Sequence, residues 1–186
     1  MFDRLANRVA SRYIFAFKQK MFLNLVNLPG TFGIVSAYRE AHKSENKDAK
    51  GKMIGELQRR GYREFHLLRG QWQGVAEQSF VIPNTQAKDL FEIGKKFDQD
   101  SVIYKAKSGI IGMYNNRNHT AIVAVNQDLS PAFQITEGKD LYSKVDRNWS
   151  FEFGFLWGNE IPWDGRSPVS LEQVKAALAK ADHLQV

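Results

Sequence analysis

The chain has 186 residues, a formal net charge of +6 and no cysteine. That length fits one domain with a real core, and the missing thiols remove disulfides, thiolate nucleophiles and cysteine-ligated zinc. Hydrophobic residues make up 43% and charged residues 25%, a globular balance that argues against wholesale disorder, and no apolar run reaches the roughly 18 residues of a membrane-spanning helix. The positive charge is interleaved with acids, as in "YREAHKSENKDAKGK" at 38–52, which favours a solvated surface over a nucleic-acid footprint.

Residues 2–21 place Phe2, Leu5, Val9, Tyr13 and Phe17 close to one helical stripe, with arginines and lysines on the other faces. The expectation is a helix packed on its own domain or on a neighbouring subunit; a membrane-surface helix is the rival reading. The segment lacks a compact apolar stretch followed by a small-residue cleavage site, so it does not read as a signal peptide, and a cytoplasmic location is expected. "NLPG" at 27–30 breaks the chain.

"TFGIVSAY" at 31–38 is a short, mostly apolar strand, expected to be central in its sheet. A helix follows from Ser44 as N-cap, with Ala49, Met53, Ile54 and Leu57 on one face and Gly61 at the stop. "YREFHLLRGQWQG" and "EQSFVIP" read as two strands, Pro83-Asn84-Thr85 as a turn and cap, and Ala87, Leu90, Phe91 and Gly94 as the inner face of a second helix. "SVIYKA" and "IIGMYN" follow as strands around Ser108-Gly109. The order strand, helix, strand, strand, helix, strand predicts an α+β fold, a ferredoxin-like split βαβ sandwich, with one added hairpin strand. A single domain is expected: an N-terminal helix at 2–21, a core at 32–115 and a C-terminal extension at 116–186. The extension carries weak strand signals at "TAIVAV" and "AFQIT", a possible late strand at "FEFGFLWG", and a helix "SLEQVKAALAKADHL" capped by Ser170.

His42, His66, His119 and His183 have no partner at ligand spacing, and HExxH, a Walker loop, GxGxxG and GxSxG are all missing. "SENK" has Ser-x-x-Lys spacing but reads as a helix start. Aromatics beside cations in "HLLRGQW" and "VIYKA" would suit base stacking, yet "EQSFVIP" lacks the aromatics of an RNA-binding third strand. A non-enzymatic module that binds nucleic acid or a host protein is therefore the alternative reading. Glu77, opening "EQSFVIP", is either a strand-edge carboxylate in water or a lone anion at the rim of a pocket for a cationic ligand. Asp98, Gln99 and Asp100 form a polar helix-to-strand loop. In "VSAYRE" at 35–40 an apolar strand stops in small residues: Ser36 and Ala37 would let a ligand approach the backbone, and Tyr38 could cover it.

The succession "FGIVSAYR", a helix, "GYREF", "EQSFVIP" and "AKDLFEIGKKFDQDSVIYKAKSGIIGMY" resembles the phage S-adenosylmethionine lyases, formerly called hydrolases. The likeness covers residues 32–115 and rests mainly on "VSAYR" and "DQDSVIY…SGIIGMY". It implies a ferredoxin-like fold and homotrimers with the ligand between subunits. It further implies conversion of S-adenosylmethionine to methylthioadenosine and homoserine lactone with no metal or extra cofactor. The family's functional glutamate carries onto Glu77. Ser36, Ala37 and Tyr38 then belong to the substrate site, with Ser79 as a further binding candidate and Gln99 and Asp100 at the subunit junction. Asp98 stands where a longer acid could occur. Tyr38 and Trp72 are the candidates for facing the sulfonium.

Overall fold

The structure is a computed structural model that describes residues 30–38, 46–72, 75–124, 142–146, 149–151, 155 and 158–183; at 46–47, 69–72, 75–77, 142–146, 149–151 and 181–183 only the main chain is described. The expected helix at 2–21, the Ser44 cap and the strand signal at "AFQIT" lie outside these residues.

The elements, in order, are β1 (Phe32–Ser36), α1 (Asn46–Arg59), β2 (His66–Trp72), β3 (Val75–Pro83), α2 (Ala87–Lys96), β4 (Ser101–Lys105), β5 (Ile111–Asn115), β6 (Thr120–Val123), β7 (Tyr142–Asp146), β8 (Trp149–Phe151), β9 (Ile161–Pro162) and α3 (Leu171–His183). The chain is therefore α+β. One sheet holds the strands in the order β8-β7-β2-β3-β1-β4-β5-β6-β9. β1 lies between β3 and β4 and is antiparallel to both. All five of its residues are buried, as a strand covered on both faces requires. β6 and β9 extend the sheet beyond β5, while β7 and β8 add to its other side beside β2. The "FEFGFLWG" segment contributes Phe151 at the end of β8 and Phe155, which bridges to Ala124.

Both helices of the 32–115 segment contribute to one core. Val35, Phe80, Ile82, Val102, Tyr104 and Tyr114 from the sheet meet Met53 and Leu57 of α1 and Leu90, Phe91 and Ile93 of α2. Gly33 sets the approach of α2, because a Cβ there would stand 2.7 Å from Leu90 Cδ1. α1 ends in a Schellman turn: Gly61 takes φ 88°, its N–H donates to Gln58 O at 2.9 Å, and Tyr62 N–H donates to Leu57 O at 3.0 Å. The expected cap of α2 differs. The N-cap position is Gln86, with no side-chain cap bond, because the Thr85 hydroxyl turns back to Ile82 O instead. On the strands, alternation puts Phe32, Ile34 and Val81 on the opposite sheet face, and they are buried as well. Lys105, paired with Phe32, is 4% exposed; its Nζ donates to Gly30 O at 2.9 Å and burial pushes its pKa down.

The C-terminal segment packs on this core. Trp163 lies against Phe91 and Tyr114 at ring-centroid distances of 4.7 and 5.2 Å. Val169 N–H donates to the buried Tyr114 hydroxyl at 3.2 Å, and Lys95 Nζ donates to Gly165 O at 2.9 Å. Ser170 caps α3 as its sequence implies. Its Oγ accepts Gln173 N–H at 3.2 Å while Gln173 Oε1 accepts Ser170 N–H at 2.8 Å, a reciprocal capping box.

A charge network that the sequence did not reveal joins α1 to α2. The Glu56 carboxylate takes Arg59 at 2.6 Å, Arg60 at 2.7 Å and Lys96 at 2.6 Å. Arg60 also reaches Asp89 and Glu92. Glu56 is only 5% exposed. The Arg59 hydrogen bond, then that of Lys96, holds its carboxyl well below the usual range, against a smaller opposing effect of desolvation. A carboxyl depressed in the folded state stabilises above its ordinary value of 4.5 and loses that contribution as pH falls towards the folded value. The thermal midpoint is therefore expected to drop steadily as pH falls below about 5. Glu56→Gln should flatten that slope in a circular-dichroism series; an unchanged slope would place the acid sensitivity elsewhere.

Candidate active site

β1 stops at Ser36, opposite Ser79, while β3 runs on past it with Gln78 paired to Arg69 and Glu77 to Gly70 of β2. The sheet thus has a step at the end of β1, where the chain turns through Ala37 and Tyr38. Ser36 shapes that turn: its Oγ donates to Gln78 O at 3.0 Å and accepts the Tyr38 N–H at 3.0 Å. One acceptor lone pair of the hydroxyl is left beyond these two bonds. Ala37 is 6% exposed and its methyl belongs to the helix-side core. Tyr38 is half-buried.

The second part arrives from α2. Asp98 adopts φ 50°, its N–H donates to Lys95 O at 3.0 Å, and Gln99 N–H donates to Gly94 O at 2.8 Å. This is a Schellman turn with aspartate in the left-handed position usually given to glycine. It turns Gln99 back towards β1. Gln99 is 7% exposed, and its Nε2 donates to Tyr38 O and to Phe97 O, each at 3.2 Å. The strand-end motif and the loop motif, 61 residues apart, therefore meet through one side chain.

The structure brings Ser36, Ala37, Tyr38, Ser79 and Gln99 to one end of the sheet. Ser36 and Gln99 spend their hydrogen bonds bracing main chain, and Ser79, 7% exposed, sits in register with Ser36. Asp100 does not join them: it is more than half exposed and ion-paired with Arg117 on the surface. Glu77 does not open its strand. β3 begins at Val75, because Val75 already pairs with Trp72 across the hairpin, so Glu77 is an interior register position. The side chains of Glu77 and Trp72 lie outside the described residues. Among the described residues no group of three or more His, Asp or Glu could hold a metal ion. Asn116, which the sequence did not single out, grips the Gln99 loop: its Nδ2 donates to Gln99 O at 3.0 Å and its N–H to Asp100 O at 2.8 Å. The sequence signal for it was weak, one of three asparagines in "YNNRN" at the end of an apolar strand.

A cavity of about 400 Å³ is lined by Pro162, Trp163, Asp164, Ser167, Pro168, Val169 and Gln173. None of the described candidate site residues lines it. The Asp164 carboxylate is already taken by the N–H groups of Arg166 and Ser167, both at 2.8 Å.

Ser36→Ala removes the donor to Gln78 O and the acceptor of Tyr38 N–H together. Stranding such partly buried groups costs about 1–3 kcal/mol. A matching fall in the urea unfolding midpoint is expected, and an unchanged midpoint would show that the turn holds without the hydroxyl.

Fold and site together define an α+β protein whose candidate site is a braced turn of small residues beside a strand carrying one carboxylate. Residues 33–158, more than half of the chain, match the model of the S-adenosylmethionine lyase family. The chain belongs to that family and is a lyase acting on S-adenosylmethionine. The match runs well past residue 115, where the motif resemblance stops. No curated protein matches the chain.

Proposed function

We propose that the chain converts S-adenosylmethionine into methylthioadenosine and homoserine lactone. The observation that carries this reading is the family match over 33–158, which takes in both the Ser36–Tyr38 turn and the Gln99–Asp100 loop. In the reaction, a carboxylate oxygen of the substrate attacks its own γ-carbon. The new C–O bond forms as the C–S bond breaks, and the electron pair passes to sulfur, which leaves as a neutral thioether. No protein acid is needed for that step.

What the protein supplies is orientation. Folding the methionine moiety so that carboxylate and γ-carbon align in line is worth about 7–11 kcal/mol in favourable intramolecular cases. Glu77 anchors the substrate ammonium. Ser36 and Ala37 leave room for the ligand against the main chain, and Tyr38 or Trp72 faces the sulfonium through its ring. Ser79 lines the same site, and Gln99 and Asp100 stand at a junction between subunits of a homotrimer. In a host bacterial cytoplasm the result is depletion of the methyl donor, which frustrates methyl-dependent restriction and modification. The resemblance of the two motifs to the phage enzymes supports these finer points.

The test is to incubate the purified chain with S-adenosylmethionine and follow methylthioadenosine by chromatography, with prompt mass analysis because the lactone opens in water. Methylthioadenosine with lactone is expected. No turnover, or homoserine formed without a lactone precursor, would overturn the scheme. Light scattering should give three times the chain mass.

A further inference from the structure

We propose that Asn116 is a positioning residue for the lyase reaction: its side-chain amide holds the main chain of Gln99, and through the Gln99 side chain it sets the place of Tyr38 at the end of β1. The catalytic consequence rests on the reading above, whereas the coupling itself rests on geometry. Asn116 Nδ2 donates to Gln99 O at 3.0 Å, Gln99 Nε2 donates to Tyr38 O at 3.2 Å, and Tyr38 N–H donates to Ser36 Oγ at 3.0 Å. A continuous run of hydrogen bonds thus crosses from the end of β5 to the end of β1, apart from the strand ladder.

Two further observations assign this run to positioning rather than to general cohesion. First, α2 makes room for the amide: a Cβ on Gly94 would stand 3.0 Å from Asn116 Nδ2 and 2.7 Å from Val102 Cγ1. Second, Asn116 Oδ1 is buried and has no hydrogen-bond partner among the described residues. A buried amide satisfied at only one end is a poor stabilising device. What this side chain contributes is one directed bond, and that bond ends on the loop that fixes Tyr38. Gln99 is buried and its N–H stays on Gly94 O, so a shift of its carbonyl on loss of the Asn116 amide leaves its side chain little freedom to keep its own bond to Tyr38.

The experiment compares the full chain with Asn116→Ala, Gln99→Ala and the double variant; Asn116→Asp, of the same shape, serves if Asn116→Ala does not fold. Amide hydrogen exchange by mass spectrometry over residues 32–38 is expected to speed up by about tenfold in Asn116→Ala and in Gln99→Ala, and no further in the double variant. The kcat/KM for methylthioadenosine release is expected to fall about tenfold in Asn116→Ala, with no additional loss in the Gln99→Ala background. Unchanged exchange over 32–38, or independent and additive losses in the double variant, would overturn the proposal. A wild-type chain that forms no methylthioadenosine would remove the lyase reading, and the exchange result would then decide the coupling by itself.

Discussion

Glu77→Gln is expected to cut kcat/KM for S-adenosylmethionine by about 30- to 5,000-fold. Removing one partner of a desolvated, hydrogen-bonded charge pair costs about 2–5 kcal/mol, and each 1.36 kcal/mol is tenfold in rate. Glutamine keeps the length and one acceptor oxygen but not the charge, so the substitution isolates the attraction to the ammonium. Position 77 lies on β3 beyond the end of β1, in register with Gly70 and two residues from Ser79. A conservative change there leaves the β1–β3 ladder at Ser36–Ser79 and beyond intact, so circular dichroism should be unaltered. If the anchor is for binding, Glu77→Asp should recover part of the rate by restoring the charge at a shorter reach. A Glu77→Gln chain that turns over like wild type would take the carboxylate out of the reaction.

Phe91→Ala is expected to destabilise the fold by about 3–5 kcal/mol, the usual range for deleting a buried aromatic ring. Phe91 is 1% exposed. Its ring meets Trp163 at 4.7 Å, Tyr114 at 4.9 Å and Tyr104 at 6.1 Å. One side chain of α2 therefore ties together β4, β5 and the segment leading to α3. Backbone around such a cluster closes only partly on a ring-sized hole, so lost contacts add to the lost transfer energy. For a chain of this size the loss corresponds to about 6–20 °C in thermal midpoint. Urea unfolding should show a lower midpoint at constant slope. Because the turn that ends α2 places Gln99, turnover is expected to fail at the same lowered temperature. A loss under about 1 kcal/mol would mean that the cluster repacks and that α2 is held chiefly by its other contacts.

The parts of the fold that depend on near neighbours were legible in the amino-acid order. Phe32–Val35 is an apolar run and, with Ser36, became the buried central strand. Gly61 marked the end of α1 because only a residue tolerant of positive φ continues there. Ser170 announced its helix, and the two motifs that carry the family resemblance were continuous stretches. Boundaries were less faithful where pairing decides them, as at Val75, which joins β3 only because Trp72 lies opposite.

What tertiary structure alone decided is which distant groups meet. No local period states that β1 lies between β3 and β4, that Ser36 faces Ser79, or that Gln99 reaches back 61 residues to Tyr38. The same holds for the Glu56 cluster, which needs Lys96 from another helix, and for Trp163 seated on Phe91. The physical reason is that caps, turns and hydrophobic periods are set by residues within a few positions, whereas cross-strand register and long-range hydrogen bonds are fixed by packing the elements against one another, and only the folded chain performs that selection.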